Sequence, residues 1–181
     1  MDGLSGRLER AVEALAASAT PAALGSALHG PRHWRAVARV GAELARRTPG
    51  VDAEVVLLFA YSHDTQRWHD GHDPDHGRRA AAAVRELAEA GVLDLDPERL
   101  GLLCRACAGH ADGLTSPEPT VGACWDADRL NLWRVGLAPA RAMLSTAAAR
   151  SAEVHDWSRG VHAQDISWEE LEAVFVGRGK I

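Results

Sequence analysis

The sequence predicts an all-α fold in a single domain, and three observations carry that prediction. Apolar residues recur at spacings of three and four through several long stretches. No stretch alternates apolar and polar residues like a strand, and no Asn-Gly hairpin turn occurs. Prolines and cap-forming side chains fall together where helices would begin.

Taken in order, LSGRLERAVEALAAS opens the chain with a helical period, and Thr20-Pro21 marks an N-cap followed by proline in the first turn. HWRAVARVGAELARR follows from Pro31, and Pro49-Gly50 closes it. VDAEVVLLFAYSHD is rich in β-branched and aromatic residues, but its length of about fourteen favours a buried helix over a strand. GRRAAAAVRELAEAGV, then PERLGLLCRACAGHA behind the Asp96-Pro97 cap, then CWDADRLNLWRV continue the pattern. Ser167-Trp168-Glu169-Glu170 reads as a capping box for the last helix. Alanine on the helix faces suits close packing, and the expected total is roughly seven to nine helices.

At 181 residues the chain can bury a core without disulfides or structural metals, so residues 1–181 are expected to form one domain. The net charge of -5 argues against a nucleic-acid backbone as the main partner. No leader pattern or long uncharged run is present, which excludes a membrane partner and makes the cytoplasm the expected location. Cys104, Cys107 and Cys124 fall on apolar helix positions and read as buried small hydrophobes, not as a disulfide framework. Oligomeric state is left open, homo-oligomers included.

Function is concentrated in FAYSHDTQRWHDGHDPDHG, where four histidines and four aspartates occupy residues 59–77. Candidate ligands sit at helix ends throughout: His33 opens one helix, His63 and Asp64 end the apolar one, His76 begins the next, His110 ends another, and Asp128 lies in a fifth. Imidazoles mixed with carboxylates suit divalent Mn, Fe, Co, Ni or Zn. Adjacent His63 and Asp64 diverge by about 100° on an ideal helix, so both reach one ion only at a helix end or a distortion. A carboxylate has two oxygens, which makes Asp64 the natural bridging ligand if two ions bind.

His33, His63-Asp64 and Asp128, within HGPRHWRAV, HDTQR and DADRLNLWRVG, resemble the H…HD…D signature of the HD-domain superfamily of metal-dependent phosphohydrolases. The resemblance covers about His29 to Leu137, the expected core between flanking helices. It implies that His33, His63, Asp64 and Asp128 bind one divalent ion. Two-metal members add two histidines before the final Asp, and His76 and His110 fall in that interval. His69 or His72 are alternatives to His76, which is favoured because Gly77 and a well-formed helix follow it. One departure stands out: several one-metal nucleotide phosphatases of the superfamily carry an acidic residue where this chain has Arg67. The reading therefore favours one or two transition-metal ions over Asp64, with Asp64 and Arg67 as the catalytic pair. His29, Arg32, Arg67 and Arg129 are the expected contacts to a small phosphorylated substrate or nucleotide. Asp126 is expected to support the site or face solvent, and His155 and His162 to lie on the surface. Two other classes stay open: a mixed-valent diiron oxygenase resembling inositol oxygenase, and a non-catalytic nucleotide-binding module.

Overall fold

The computed structural model describes residues 4–176, so the outermost parts of the expected 1–181 domain lie outside the described residues. It is all-helical, with no strand among those residues. Three helices frame its centre: α3 (Pro31–Arg47), α4 (Ala53–Ala60) and α7 (Pro119–Arg129) pack on one another. Both α5 (His76–Glu89) and α6 (Pro97–Gly109) pack side by side, and α6 also lies against α4 and α7. The first helix, α1 (Leu4–Ala17), and the last, α10 (Trp168–Val176), contact each other and cover α4.

The central helix is short because of its chemistry. Asp52 caps α4 by accepting from the N–H groups of Glu54 and Val55 at 3.0 and 3.2 Å. From Val55 to Ala60 every side chain is buried, which is the pattern of a helix enclosed on all sides. The helix then stops at Ala60, earlier than the apolar run suggests, and residues 61–66 form turns. Two hydroxyls assist that change. Ser62 donates to the Leu58 carbonyl at 2.8 Å, and Thr65 donates to the Ser62 carbonyl at 2.8 Å. His63 and Asp64 therefore leave the regular helix just where they must turn to a common side.

Close approach of α3 to α4 depends on Gly41. A Cβ built there would meet Cγ1 of Val56 at 2.4 Å, well inside van der Waals contact. Along α3, Trp34, Val37, Val40 and Leu44 are buried at spacings of three and four, while Arg46 and Arg47 occupy the C-terminal turn and bond Glu43.

The structure has ten α-helices among its described residues, more than the period predicts. The excess comes from one-turn or two-turn pieces: α2 (Pro21–Gly25), α8 (Ala147–Arg150) and α9 (Ala152–Ser158). The expected Thr20-Pro21 cap forms, and Thr146 and Ser151 act alike: each of the three accepts from a main-chain N–H three residues on. Such pieces are too short to show a hydrophobic period. The capping box at α10 forms as predicted: Ser167 N–H donates to Glu170 at 2.9 Å, and Glu170 N–H donates to the Ser167 hydroxyl at 3.2 Å. The three cysteines are buried and free, and burial pushes the Cys107 thiol up to about 12. No helix among the described residues is long and apolar enough to cross a membrane.

Candidate metal centre

Six side chains from five parts of the chain converge between α3, the turn after α4, α5, α6 and α7. His33 is the third residue of α3, His76 the first of α5, and His110 the residue that caps the end of α6. Asp128 lies in the last turn of α7. All four histidines are buried, three of them at helix ends or in a turn where the backbone can aim a ring inward.

Their reactive atoms fall mainly into two groups, and His63, His110 and Asp128 also lie close enough to share an ion. In the first, His33 Nε2 lies 3.3 Å from His63 Nε2, 3.6 Å from Asp64 Oδ2 and 3.1 Å from Asp128 Oδ1. His63 Nε2 lies 3.3 Å from Asp64 Oδ2 and 3.9 Å from Asp128 Oδ1. In the second, His76 Nε2 lies 3.1 Å from Asp64 Oδ1 and 2.8 Å from His110 Nε2, and His110 Nε2 is 3.8 Å from the same oxygen. Ligand atoms held about 2.1 Å from one ion stand roughly 3.0–3.4 Å apart in octahedral or tetrahedral arrangements. The observed edges scatter around that range. Asp64 gives one oxygen to each group.

Proton placement makes the case sharper. Nδ1 of His63 bonds the carbonyls of Phe59 and Ala60 at 3.2 and 3.1 Å, Nδ1 of His76 bonds the Asp73 carbonyl, and Nδ1 of His110 bonds the Cys107 carbonyl at 2.8 Å. A carbonyl only accepts, so each Nδ1 carries a proton and donates it. In the neutral ring Nε2 is then a bare lone pair. His76 and His110 thus present lone pairs to each other across 2.8 Å, an arrangement that a cation would stabilise and that neutral rings would not.

Burial alone would raise the Asp64 carboxyl, yet the imidazoles of His63, His110 and His76 hold it well below the ordinary range. Asp128 is likewise held low: burial opposes ionisation, but the hydrogen bond from His33 and the field of His63 outweigh it. Burial pushes His33 down to about 4, partly offset by Asp128. For His63 burial acts downward too, but the neighbouring Asp64 leaves it raised. Both carboxylates stay anionic inside a buried imidazole cage. Asp128 keeps 20% of its side chain exposed, against 3% for Asp64, so the cluster opens to solvent on the Asp128 side.

Other side chains hold the cage in place. Arg67 Nε donates to Asp64 Oδ1 at 2.7 Å and Nη1 reaches the Gly71 carbonyl at 3.4 Å. The turn carrying Asp64 is moored to the α1–α2 junction. Thr20 N–H donates to the Thr65 carbonyl at 2.9 Å, the Thr20 hydroxyl bonds the Arg67 carbonyl, and the Gln66 amide donates to the Ser18 carbonyl at 2.9 Å. From α5, Arg79 donates to the Gln66 carbonyl at 2.9 Å and to Asp73 at 2.6 Å. Nothing in the local sequence pattern flags Arg79 or Thr20 for this part.

Gly77 has a steric role beside His76. A Cβ there would meet the Cys107 carbonyl oxygen at 2.4 Å and the His110 ring at 3.0 Å. Gly77→Ala is therefore expected to cost about 1–3 kcal/mol and to displace His110. Elemental analysis of the purified variant should show loss from the His76–His110 group with the other group retained.

The remaining expected residues sort clearly. His29 lies beside the cluster, its ring 6.4 Å from that of His33 and its Nδ1 3.0 Å from Asp70 Oδ1. Arg32 donates to the Ala163 carbonyl at 3.2 Å. Arg129, expected at the phosphate, donates to the Met143 carbonyl at 2.7 Å, and its guanidinium lies 5.8 Å from the Trp125 ring centre. His69 and His72 are exposed and stay outside the cluster. His155, expected on the surface, is buried against Trp133 and bonds the Pro139 carbonyl at 3.0 Å. His162 is only half-buried.

Asp126 is fully buried but faces elsewhere, accepting from Ser145 N–H, Thr146 N–H and the Thr146 hydroxyl at 2.6, 2.7 and 2.8 Å. Burial raises its carboxyl, with those three donors acting against it. Asp126→Asn should lower stability by about 1–3 kcal/mol while leaving metal content intact, whereas Asp128→Asn should reduce metal content. Thermal melts and elemental analysis of the two variants would separate the roles.

These features define an all-helical protein with a buried His/Asp cluster able to hold metal. Comparison with protein-family models, with curated proteins and with solved structures returns no match for this chain.

Proposed function

We propose that the chain is a metal-dependent phosphohydrolase with a two-ion centre, acting on a phosphate ester of a small molecule or nucleotide. The supporting observation is the Asp64 carboxylate, whose Oδ2 faces His33 and His63 while its Oδ1 faces His76 and His110. That division suits a bridging ligand. His33, His63, Asp64 and Asp128 would hold one divalent ion, and Asp64, His76 and His110 the other. Bound there, such ions lower the pKa of water from about 15.7 toward about 7 and offset charge on phosphoryl oxygens.

The protein's own groups supply the rest. Arg67 fixes the orientation of Asp64 through Nε and brings a permanent positive charge to the cluster. Held by Asp70, His29 stands at the same side as a hydrogen-bonding group for the substrate. The buried Phe59 ring stacks on His63, with ring centres 4.9 Å apart, and excludes water from behind the cage. Arg129 has no part in this reading.

Elemental analysis of purified protein, followed by phosphate-release assays with Mn²⁺, Fe²⁺, Co²⁺ and Ni²⁺, tests the proposal. Two ions per chain and metal-dependent release from a phosphomonoester, phosphodiester or nucleotide are the expected results. Bound metal without release from any substrate would overturn the hydrolase. A mixed-valent diiron EPR signal with substrate-dependent oxygen uptake would replace it with an oxygenase.

A further inference from the structure

A cavity of about 220 Å³ is lined in part by His33, which also belongs to the cluster. Its other polar walls are Arg32, Arg134 and His162, with Leu28 and Ala163 beside them. Arg134 donates from Nε to the Leu28 carbonyl at 2.9 Å and from Nη1 to the Asn131 carbonyl at 3.1 Å, and Arg32 makes its one bond to Ala163. These acceptors are main-chain carbonyls; among the described residues neither arginine bonds a carboxylate. A guanidinium has five N–H donors, so both keep donors that no protein acceptor takes.

Two more features point the same way. Nδ1 of His33 and Nδ1 of His162 are buried atoms without a hydrogen-bond partner. The cavity also lies at the start of α3, whose first residue is Pro31, so the positive end of a long helix faces this region. Arg32, Arg134, the two histidines that carry these nitrogens and the first turns of α3 line one small space. The volume suits a tetrahedral phosphate or a carboxylate, and falls below the roughly 300–1,000 Å³ of pockets that enclose a drug-sized molecule.

We propose that this cavity binds a second anionic group of the substrate, distinct from the phosphate presented to the cluster. The preferred substrate class would then be a phosphate ester that also carries a second phosphate or a carboxylate. This inference rests on the hydrolase reading and narrows its substrate. Arg32, Arg134 and His162 are specificity residues in it, and charge-assisted hydrogen bonds supply the selectivity.

Calorimetric titration of the metal-loaded protein with orthophosphate, pyrophosphate and phosphonoacetate tests it. Wild type should bind one of the two-anion probes more tightly than orthophosphate; pyrophosphate preference would mark the second group as phosphate, and phosphonoacetate preference as carboxylate. Arg134→Gln and Arg32→Gln should each weaken that probe by about tenfold or more while orthophosphate changes little. Arg32 has the lighter structural burden, so it keeps the test valid if the Arg134 variant fails to fold. Equal affinity of all three probes for wild type, or no selective loss in Arg32→Gln, would overturn the proposal. Metal content and phosphate release are read separately. Metal-loaded protein that discriminates between the probes through Arg32 yet releases phosphate from no substrate would sink the hydrolase and keep the cavity, and an active enzyme indifferent to the second anion would do the reverse.

Discussion

Asp64→Ala is expected to remove metal from both groups at once and to reduce phosphate release by more than about 100-fold. Side chains that merely orient a metal ligand are already worth about 10–100-fold, and Asp64 is the shared anion itself. The reason is geometric: Oδ2 is 3.6 and 3.3 Å from the His33 and His63 nitrogens, and Oδ1 is 3.1 Å from that of His76. Removing the carboxylate also strips Arg67 Nε of its acceptor and leaves four imidazoles around a single remaining anion, Asp128. His110→Ala provides the contrast, since it should reduce only the second group. Elemental analysis of both variants beside wild type reads the difference. If Asp64→Ala kept two ions per chain, the bridging assignment would be wrong.

Stripping the metal from wild type should lower the melting temperature by about 8–16 °C. A ligand present at about 1,000 times its dissociation constant stabilises the folded chain by about 4.1 kcal/mol. For a domain of this size each kcal/mol is worth about 2–4 °C. The expected stabilisation has a local origin in the facing nitrogens of His76 and His110, which a cation would reconcile. Melting curves followed by circular dichroism, with chelator and after reloading, give the measurement. The same comparison on Asp64→Ala should show little dependence on metal. A wild-type melting point unmoved by chelation would mean that the cage is held by the protein alone.

Much of this architecture was legible before any coordinates. Helical period and caps located α1, α3, α5, α6 and α10, because long amphipathic helices leave a repeating trace. Helix α4 was harder, since a segment buried on all sides has no polar face to set its limits, and its stop at Ala60 comes from hydroxyl and ring bonding in the following turn. His33, His63, Asp64, His76, His110 and Asp128 could be chosen because each stands at a helix boundary or in an ordered motif. For Arg129, adjacency to Asp128 in sequence does not foretell its contacts with the Met143 carbonyl and the Trp125 ring. That Arg134 and His162, the latter expected at the surface, line one cavity was not legible. They come from short 3₁₀ turns, residues 132–135 and 161–163, which the fold carries back to the start of α3.

The mooring of the Asp64 turn to Ser18 and Thr20 bears on how such a centre comes into being. The anchor, His33 and Asp128 lie far apart along the chain. The complete set from His33 to Asp128 gathers only in the folded chain, so an ion held by all of it would be a late guest in a house already standing. Occupancy would then report the integrity of the finished molecule, from its first helices to α7.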